Sequence, residues 1–122
     1  MSLTLDDNSA VYQIRGYKPG QIQVNQQIFT NSIIVSPREL IEKWEPKQLS
    51  EMTHEHLLDA IKLKPTVLLI GTGEKLIFPP IELYGEFLNQ GIGVEVMNTS
   101  AACHTYNILT AENRQVVAAL FL

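Results

Sequence analysis

The run Thr66 to Ile70 is the feature of this 122-residue chain that most restricts its fold. Every residue in it is apolar or β-branched, with Pro65 before it and Gly71 after it. A short run of this kind is typical of a strand that is covered on both faces, since a half-exposed strand would alternate. Val94 to Met97 and Gln115 to Leu122 predict two further interior strands. Strands covered on both faces require other elements packed on each side of their sheet.

Four segments with helical spacing alternate with these strands or precede them. Ser36-Pro37-Arg38-Glu39 matches a capping box, so a first helix is expected to begin there and to end at Pro46. Its apolar stripe would contain Leu40, Ile41 and Trp44. Thr53 is expected to cap a second helix, and the inward residues of that helix would be Leu57, Leu58 and Ile61.

The third helix is expected to open at Pro79-Pro80 and to stop at Gly91. Its buried face would consist of Ile81, Tyr84, Phe87 and Leu88. A fourth helix, capped by Thr99 or Ser100, should run to about Ala111, with Ala102, Tyr106 and Leu109 turned inward.

The first third of the chain is rich in β-strand patterns. Short strands are expected at Val11–Arg15, with Gly16 ending the first, at Ile22–Val24, at Ile28–Thr30 and at Ile33–Val35. Strands that then alternate with helices predict an α/β sandwich with a parallel core. With no repeat, linker or low-complexity tract, residues 1–122 are expected to form one domain.

Composition and charge exclude several classes of function. Nine Lys and Arg against 13 Asp and Glu give a net charge of −4, which provides no general attraction for a phosphate backbone, so no nucleic-acid partner is expected. A single cysteine excludes an intrachain disulfide and every multi-cysteine metal site. No metal or cofactor is expected.

The sequence favours a cytoplasmic location without membrane insertion. Met1 to Asn8 contains neither the basic segment nor the apolar segment of a secretory signal. The longest apolar runs fall far short of the ~20 residues that a membrane-spanning helix needs. Whether the chain is a monomer or a homo-oligomer stays open at this level.

A candidate pocket is expected at the carboxyl edge of the sheet, where α/β proteins hold ligands. The polar segments Gly71-Thr72-Gly73 and Asn98-Thr99-Ser100 each follow a predicted strand, and Ser36 would join them if its strand were also parallel. Free N–H groups at a helix start favour an anion or a carboxylate. Tyr106 and Arg114 complete the candidate set. The alternatives are that the glycines form a structural turn and that the hydroxyls only cap a helix.

Cys103 and the histidines have less promising contexts. A helix dipole would lower the pKa of the Cys103 thiol, whereas packing beside Ala101 and Ala102 would make that thiol inert. His54 and His56 stand two residues apart and would diverge on a helix, so a metal site there is not expected. The sequence contains no complete catalytic constellation, and we therefore lean against an enzyme.

Most of the chain resembles a small uncharacterised bacterial family. The resemblance is carried by Gly91 to Met97, Thr99, Ala102, Thr105 to Leu109, Glu112, Arg114 and Val116 to Leu120, and it extends to Gly16-Tyr17, Gly20, Ser32 to Pro37, Trp44, Gly71 to Gly73 and Pro79-Pro80. Distant relatives of that family include an adipogenesis-associated domain protein and a mitochondrial respiratory complex I assembly factor. The resemblance implies a three-layer α/β fold with a mixed central sheet and no established enzymatic activity.

Two positions depart from the family pattern. Asn98 stands where relatives often carry Asp, which removes a carboxylate from the candidate pocket. Asn113 stands where relatives usually carry Gly, and both residue types tolerate a left-handed turn. Two hypotheses follow from the sequence: a non-catalytic binding or assembly-factor-like module, or an enzyme or sensor that binds a small anion or carboxylate in the crevice.

Overall fold

A mixed five-stranded sheet forms the centre of the computed structural model, which describes residues 8–122 of the chain. β6 (Val67–Thr72) lies between β7 (Gly93–Met97) and β8 (Val116–Phe121), and it is parallel to both. β4 (Ile33–Val35) pairs antiparallel with the other side of β8, and β5 (Leu40–Ile41) forms the edge beyond β4. The sheet is therefore mixed, with a parallel core.

A smaller antiparallel sheet covers part of one face of the central sheet together with a long helix. Its strands are β1 (Ile14–Lys18), β2 (Gln21–Val24) and β3 (Gln27–Phe29), paired in chain order. The helix is α3 (Thr99–Ala111). Buried side chains from both units join those of β6 and β8 in one apolar cluster, which includes Tyr106.

The opposite face of the central sheet is covered by two short helices and a loop. α1 (His54–Ile61) and α2 (Gly85–Asn89) contribute Leu57 and Phe87, which are buried, and the loop contributes Trp44. The two apolar clusters lie on the two faces of the central sheet. The expected three-layer α/β fold with a mixed central sheet and a β-rich N-terminal third is confirmed. The segment Met1 to Asp7, for which the sequence predicts no secretory signal, lies outside the described residues.

The capping prediction for α1 is confirmed. The Thr53 hydroxyl accepts from the His56 N–H at 3.2 Å, and the Thr53 N–H donates to Nδ1 of His56 at 3.0 Å. This is a capping box in which histidine takes the place of the usual glutamate. Leu57 is buried as expected, but Leu58 is exposed and Ile61 is only half-buried, because the buried face of this short helix is narrow.

The predicted first helix from Ser36 to Pro46 is wrong. The Ser36 hydroxyl does accept from the Glu39 N–H, at 3.0 Å, but the Ser36 N–H donates to the Glu39 carbonyl and so closes a tight turn. Leu40 and Ile41 then pair with β4 as β5. The local sequence fits a turn as well as a helix start, and the exposed edge of β4 provides the backbone partners that decide between them.

Three further boundaries differ from the predictions. Gly16 lies inside β1 at a shift of register, so it bends the strand instead of ending it. The segment after Pro80 forms a 3₁₀ turn, Ile81–Leu83, and then α2, which buries Phe87 and leaves Ile81 and Leu88 exposed. The cap of α3 is Asn98, whose side chain accepts from the Ala101 N–H at 2.9 Å.

The predicted end of the third helix is confirmed, since Gly91 has a positive φ just after α2.

Candidate functional site

The two polar segments predicted at the carboxyl edge of the sheet lie side by side. β6 and β7 are adjacent parallel strands, so Thr72 and Asn98 emerge at the same edge. The Thr99 N–H donates to the Gly73 carbonyl at 2.9 Å, and the Gly73 N–H donates to the Thr99 hydroxyl at 2.8 Å. The expected adjacency of these two parallel strands, on which this part of the crevice depends, is confirmed.

Both threonine hydroxyls at this edge are used by the backbone of the chain itself. Thr99 is fully buried, and its hydroxyl donates to the carbonyl of Phe121 at the end of β8. The Thr72 hydroxyl donates to the Lys75 carbonyl at 2.6 Å and accepts from the Ile77 N–H at 3.2 Å. The Thr99 hydroxyl therefore connects the start of α3 to the carboxyl ends of β6 and β8. Anion binding by these side chains stays a prediction. Ser100 is exposed.

Two glycines at this edge have different reasons to be glycine. Gly73 has a φ of +101°, so it forms the structural turn that is one of the two alternatives for this segment, whereas Gly71 and Thr72 belong to β6. A Cβ added at Gly71 would lie 2.8 Å from Cδ2 of Leu120 and 3.0 Å from Oγ1 of Thr99. Gly71 thus permits α3 to approach the sheet closely.

We expect Gly71→Ala to lower the free energy of unfolding by about 1–3 kcal/mol, because the added methyl group overpacks the contact between α3 and β6. Gly16→Ala is the matched control, since no atom lies within 4 Å of a Cβ at that position. Urea unfolding followed by circular dichroism measures both variants. Equal stability of the two variants would contradict the close approach.

Ser36 and Arg114 do not join this edge. β4 runs antiparallel to β8, so its carboxyl end, with Ser36, lies at the opposite edge of the sheet, where Arg114 precedes β8. The expectation that Ser36 would emerge beside Thr72 is therefore wrong. Both residues line a polar cavity of about 390 Å³ that also contains Arg38 and Glu39. This cavity is separate from the edge at which an anion was predicted, beside Thr99 and Ser100.

Tyr106 lies in the core and not in a pocket. Its hydroxyl donates to the Tyr12 carbonyl at 2.7 Å, and burial raises its pKa well above the ordinary tyrosine value. The next residue, Asn107, bonds with both backbone groups of Ile14: Nδ2 donates to the carbonyl at 2.7 Å, and Oδ1 accepts from the N–H at 3.1 Å. Asn107 therefore connects α3 to the start of β1, and Tyr106 connects α3 to the segment just before it.

Cys103 is a packed thiol, in agreement with the prediction. It is 6% exposed on the inner side of α3, and burial raises its pKa to about 12. His54 and His56 serve as contacts between elements: Nε2 of His54 lies 3.2 Å from the Glu86 carboxylate, and Nε2 of His56 lies 3.3 Å from Glu45. Within residues 8–122, no group of three or more His, Cys, Asp or Glu side chains is placed to hold a metal ion.

An exposed apolar surface follows β6, and sequence reasoning missed it. The surface consists of four side chains that are half or more exposed: Leu76 at 50%, Ile77 at 53%, Phe78 at 70% and Ile81 at 54%. The chain here has neither helical nor strand hydrogen bonding from Glu74 to Pro80. The missed signal is Leu76-Ile77-Phe78-Pro79-Pro80, an apolar run that two prolines keep out of regular structure.

A groove of about 560 Å³ lies beside this surface. Ile77, Phe78 and the two prolines line one part of it, and residues of the 3₁₀ turn Leu49–Glu51 and Met52 line another. Large exposed apolar surfaces on proteins typically bind other proteins or membranes.

The fold and these surfaces define a small three-layer α/β protein with a mixed central sheet. Hydrogen bonds of Thr72 and Thr99 hold the carboxyl edge of that sheet, and an apolar loop follows β6 with its side chains exposed. The chain belongs to the family described as "Protein of unknown function (DUF498/DUF598)", whose model matches residues 14–121. Membership confirms the family resemblance inferred from the sequence.

Three relatives illustrate the range of the similarity. The chain is 30% identical over 117 residues to the "13 kDa major membrane protein" of Francisella tularensis, with 95% of each chain covered. It is 31% identical over 122 residues to "NADH dehydrogenase (ubiquinone) 1 alpha subcomplex assembly factor 3" of Danio rerio, covering 98% of this chain and 70% of that protein. The solution structure of a Bordetella pertussis protein described as a Mth938-like domain matches with a TM-score of 0.82 and 31% identity. The match covers 99% of this chain and 92% of that chain.

The name of the Francisella relative raises the question of membrane contact. No helix among residues 8–122 has the length and apolar character required to cross a bilayer. The cytoplasmic location expected from the sequence stays a prediction.

Proposed function

We propose that this protein is a non-catalytic protein-binding module of the assembly-factor kind, and that it contacts its partner through the exposed apolar surface. The observation that carries the proposal is Phe78, whose large apolar ring is 70% exposed next to three other exposed apolar side chains. Aromatic residues of this kind are the usual energetic anchors of protein interfaces once a partner removes them from water.

The relatives and the internal bonding of the chain support the same proposal. An assembly factor acts by binding other proteins, and the Danio rerio relative is named as one. The Thr72 and Thr99 hydroxyls, which the sequence assigns to a ligand crevice, are hydrogen-bonded to backbone groups instead. A site for chemistry would need such groups free to meet a substrate.

Phe78→Asp is expected to abolish partner binding while leaving the fold intact, because the side chain makes little contact with the rest of the protein. Ile28→Asp is the matched control, since Ile28 is 54% exposed on β3, away from the apolar surface. The experiment is affinity purification of both variants and the wild type from cells of the native host, with quantitative mass spectrometry.

Proteins retained by the wild type and by Ile28→Asp, but lost about tenfold or more with Phe78→Asp, support the proposal. Loss from both variants, or from neither, contradicts it. A thermal-shift screen of anions, nucleotides and carboxylates tests the alternative of a small-molecule enzyme or sensor. A saturable rise of the unfolding midpoint would favour that alternative, because a ligand of the native state stabilises it.

A further inference from the structure

The polar cavity beside the start of β8 brings together two of the three arginines of the chain. Arg38 lies in the turn between β4 and β5, and Arg114 lies just before β8, and both line this space of about 390 Å³. Within residues 8–122, Glu39 is the one other charged residue that lines it. The cavity is therefore locally positive, although the whole chain carries a net charge of −4.

Neither arginine is neutralised by a carboxylate in the described part of the chain. The three ion pairs within residues 8–122 lie elsewhere, and none of them includes Arg38, Arg114 or Glu39. Both arginines are exposed. A guanidinium group keeps its positive charge at every physiological pH and presents N–H donors in a planar fork that matches the oxygens of a carboxylate or a phosphate.

The hydroxyl groups of the cavity are already used within the protein. The Ser36 hydroxyl donates to the Glu39 carbonyl at 3.1 Å, and the Thr110 hydroxyl, at the buried floor, donates to a backbone carbonyl of α3. The Ser9 hydroxyl donates to Oδ1 of Asn113 at 3.0 Å and so leaves Nδ2 of that amide as a donor. The side-chain groups that remain for a ligand are therefore mainly donors, and two of them are charged.

We infer that this cavity binds a small molecule that carries a carboxylate or a phosphate group. Arg38 and Arg114 would hold the oxygens of that group by charge-assisted hydrogen bonds, and Nδ2 of Asn113 would add a further one. The volume of about 390 Å³ lies within the usual range of small-molecule sites. The inference is independent of the proposed function, because the cavity and the apolar surface that contains Phe78 lie at opposite edges of the central sheet.

The test is titration of the isotope-labelled protein with inorganic phosphate and, separately, with succinate, followed by two-dimensional NMR at constant ionic strength. We expect saturable shifts of the amide signals of residues that line the cavity. Arg38→Gln with Arg114→Gln should weaken binding at least about tenfold, because both charged donors are lost. Glu39→Gln should strengthen binding about twofold to threefold, because it removes a negative charge beside the anion.

Matched variants control for the change of net charge. Arg15→Gln with Lys18→Gln removes the same charge from exposed positions on β1 that do not line the cavity, and it should leave the affinity unchanged. Glu95→Gln, on β7, is the corresponding control for Glu39→Gln. Circular dichroism and the unfolding midpoint check that every variant is folded.

The two probes and the variants separate the outcomes. Binding of phosphate alone, or of succinate alone, supports the inference and identifies the kind of anion. Absence of a saturable shift with both probes overturns it, as do equal effects of the two double variants. Saturable binding that survives Arg38→Gln with Arg114→Gln places the anion elsewhere and also overturns it. Phe78→Asp should leave the anion affinity unchanged, so failure of this inference is distinct from failure of the proposed function.

Discussion

Replacing Trp44 with alanine is expected to lower the free energy of unfolding by about 3–5 kcal/mol, the usual cost of removing a large buried side chain. Trp44 is 4% exposed, and its ring lies with its centroid 5.1 Å from that of Phe121 on β8. Its indole N–H donates to the His56 carbonyl at 3.1 Å, which connects the loop to α1. The substitution removes an apolar contact with the sheet and leaves a cavity between the two elements.

Trp44→Phe separates the two contributions. Phenylalanine keeps an aromatic ring against Phe121 but loses the donor to His56, so we expect a smaller loss of about 1–2 kcal/mol plus a modest packing cost. Urea or guanidinium unfolding, followed by far-UV circular dichroism, measures both variants. A loss below ~1 kcal/mol for Trp44→Ala would show that the ring does not contribute to the core.

The Cys103 thiol should react with an alkylating reagent about a thousandfold more slowly in the native protein than in the unfolded chain at the same neutral pH. Only the thiolate reacts, and burial raises the pKa of Cys103 from 9.0 to about 12, so the thiolate is correspondingly scarce. The native rate should rise about tenfold for each pH unit through the neutral range, because the thiolate fraction does so.

A displaced cysteine serves as the control for this measurement. Ser100→Cys in a Cys103→Ala background puts a thiol on the exposed side of the first turn of the same helix. That thiol should label at a rate close to that of the unfolded chain. Native Cys103 labelling as fast as the control would contradict the buried position and would make this residue a functional candidate.

The raised pKa of Cys103 also determines the direction in which the stability of the native state changes with pH. The unfolded thiol loses its proton first as the pH rises above its ordinary pKa of 9.0, so the native state, which keeps the proton, becomes less favoured. The stabilising effect of the protonated thiol is complete below that pH and disappears as the pH approaches the folded value of about 12. Tyr106, whose pKa burial also raises, acts in the same direction at higher pH.

The interior strands were predictable because burial on both faces imposes an apolar composition that no other element of that length shares. Thr66 to Ile70 predicted β6 and Gln115 to Leu122 predicted β8, and both strands are buried inside the sheet. Val94 to Met97 predicted β7, but its expected interior position is wrong, because β7 forms an edge of the sheet and its residues are half-buried or exposed. The helix cap at Thr53 and the left-handed Asn113 were also predictable, since each depends on the chemistry of a few neighbouring residues. Sequence patterns predict structure correctly where a few neighbouring residues determine the backbone conformation.

The segment from Ser36 to Pro46 was mispredicted because its structure depends on a distant part of the chain. Its capping pattern is real, but Leu40 and Ile41 find backbone partners on the open side of β4. The candidate pocket was split for the same reason. Whether Ser36 meets Thr72 or Arg114 depends on the direction of β4 relative to β8, which no residue near Ser36 encodes.

The apolar surface escaped prediction because apolar side chains are assigned to the core by default. Ile81 was expected inside a helix, yet the short 3₁₀ turn leaves it in water. The two prolines prevent the loop from adding to the sheet or forming a regular helix. An apolar run that prolines exclude from helices and strands therefore indicates a possible contact surface as well as a core segment.

The bonds of Tyr106 and Asn107 have a consequence for how members of this family are compared. These two residues belong to the segment Thr105 to Leu109, which helps carry the family resemblance, and they attach α3 to β1 and to the residues just before it. A match at these positions therefore reports a shared architecture and carries no information about whom each protein binds. Under the proposed function, differences in partner among relatives are expected at Leu76, Ile77 and Phe78, whose exposed side chains lie outside the two apolar clusters of the core.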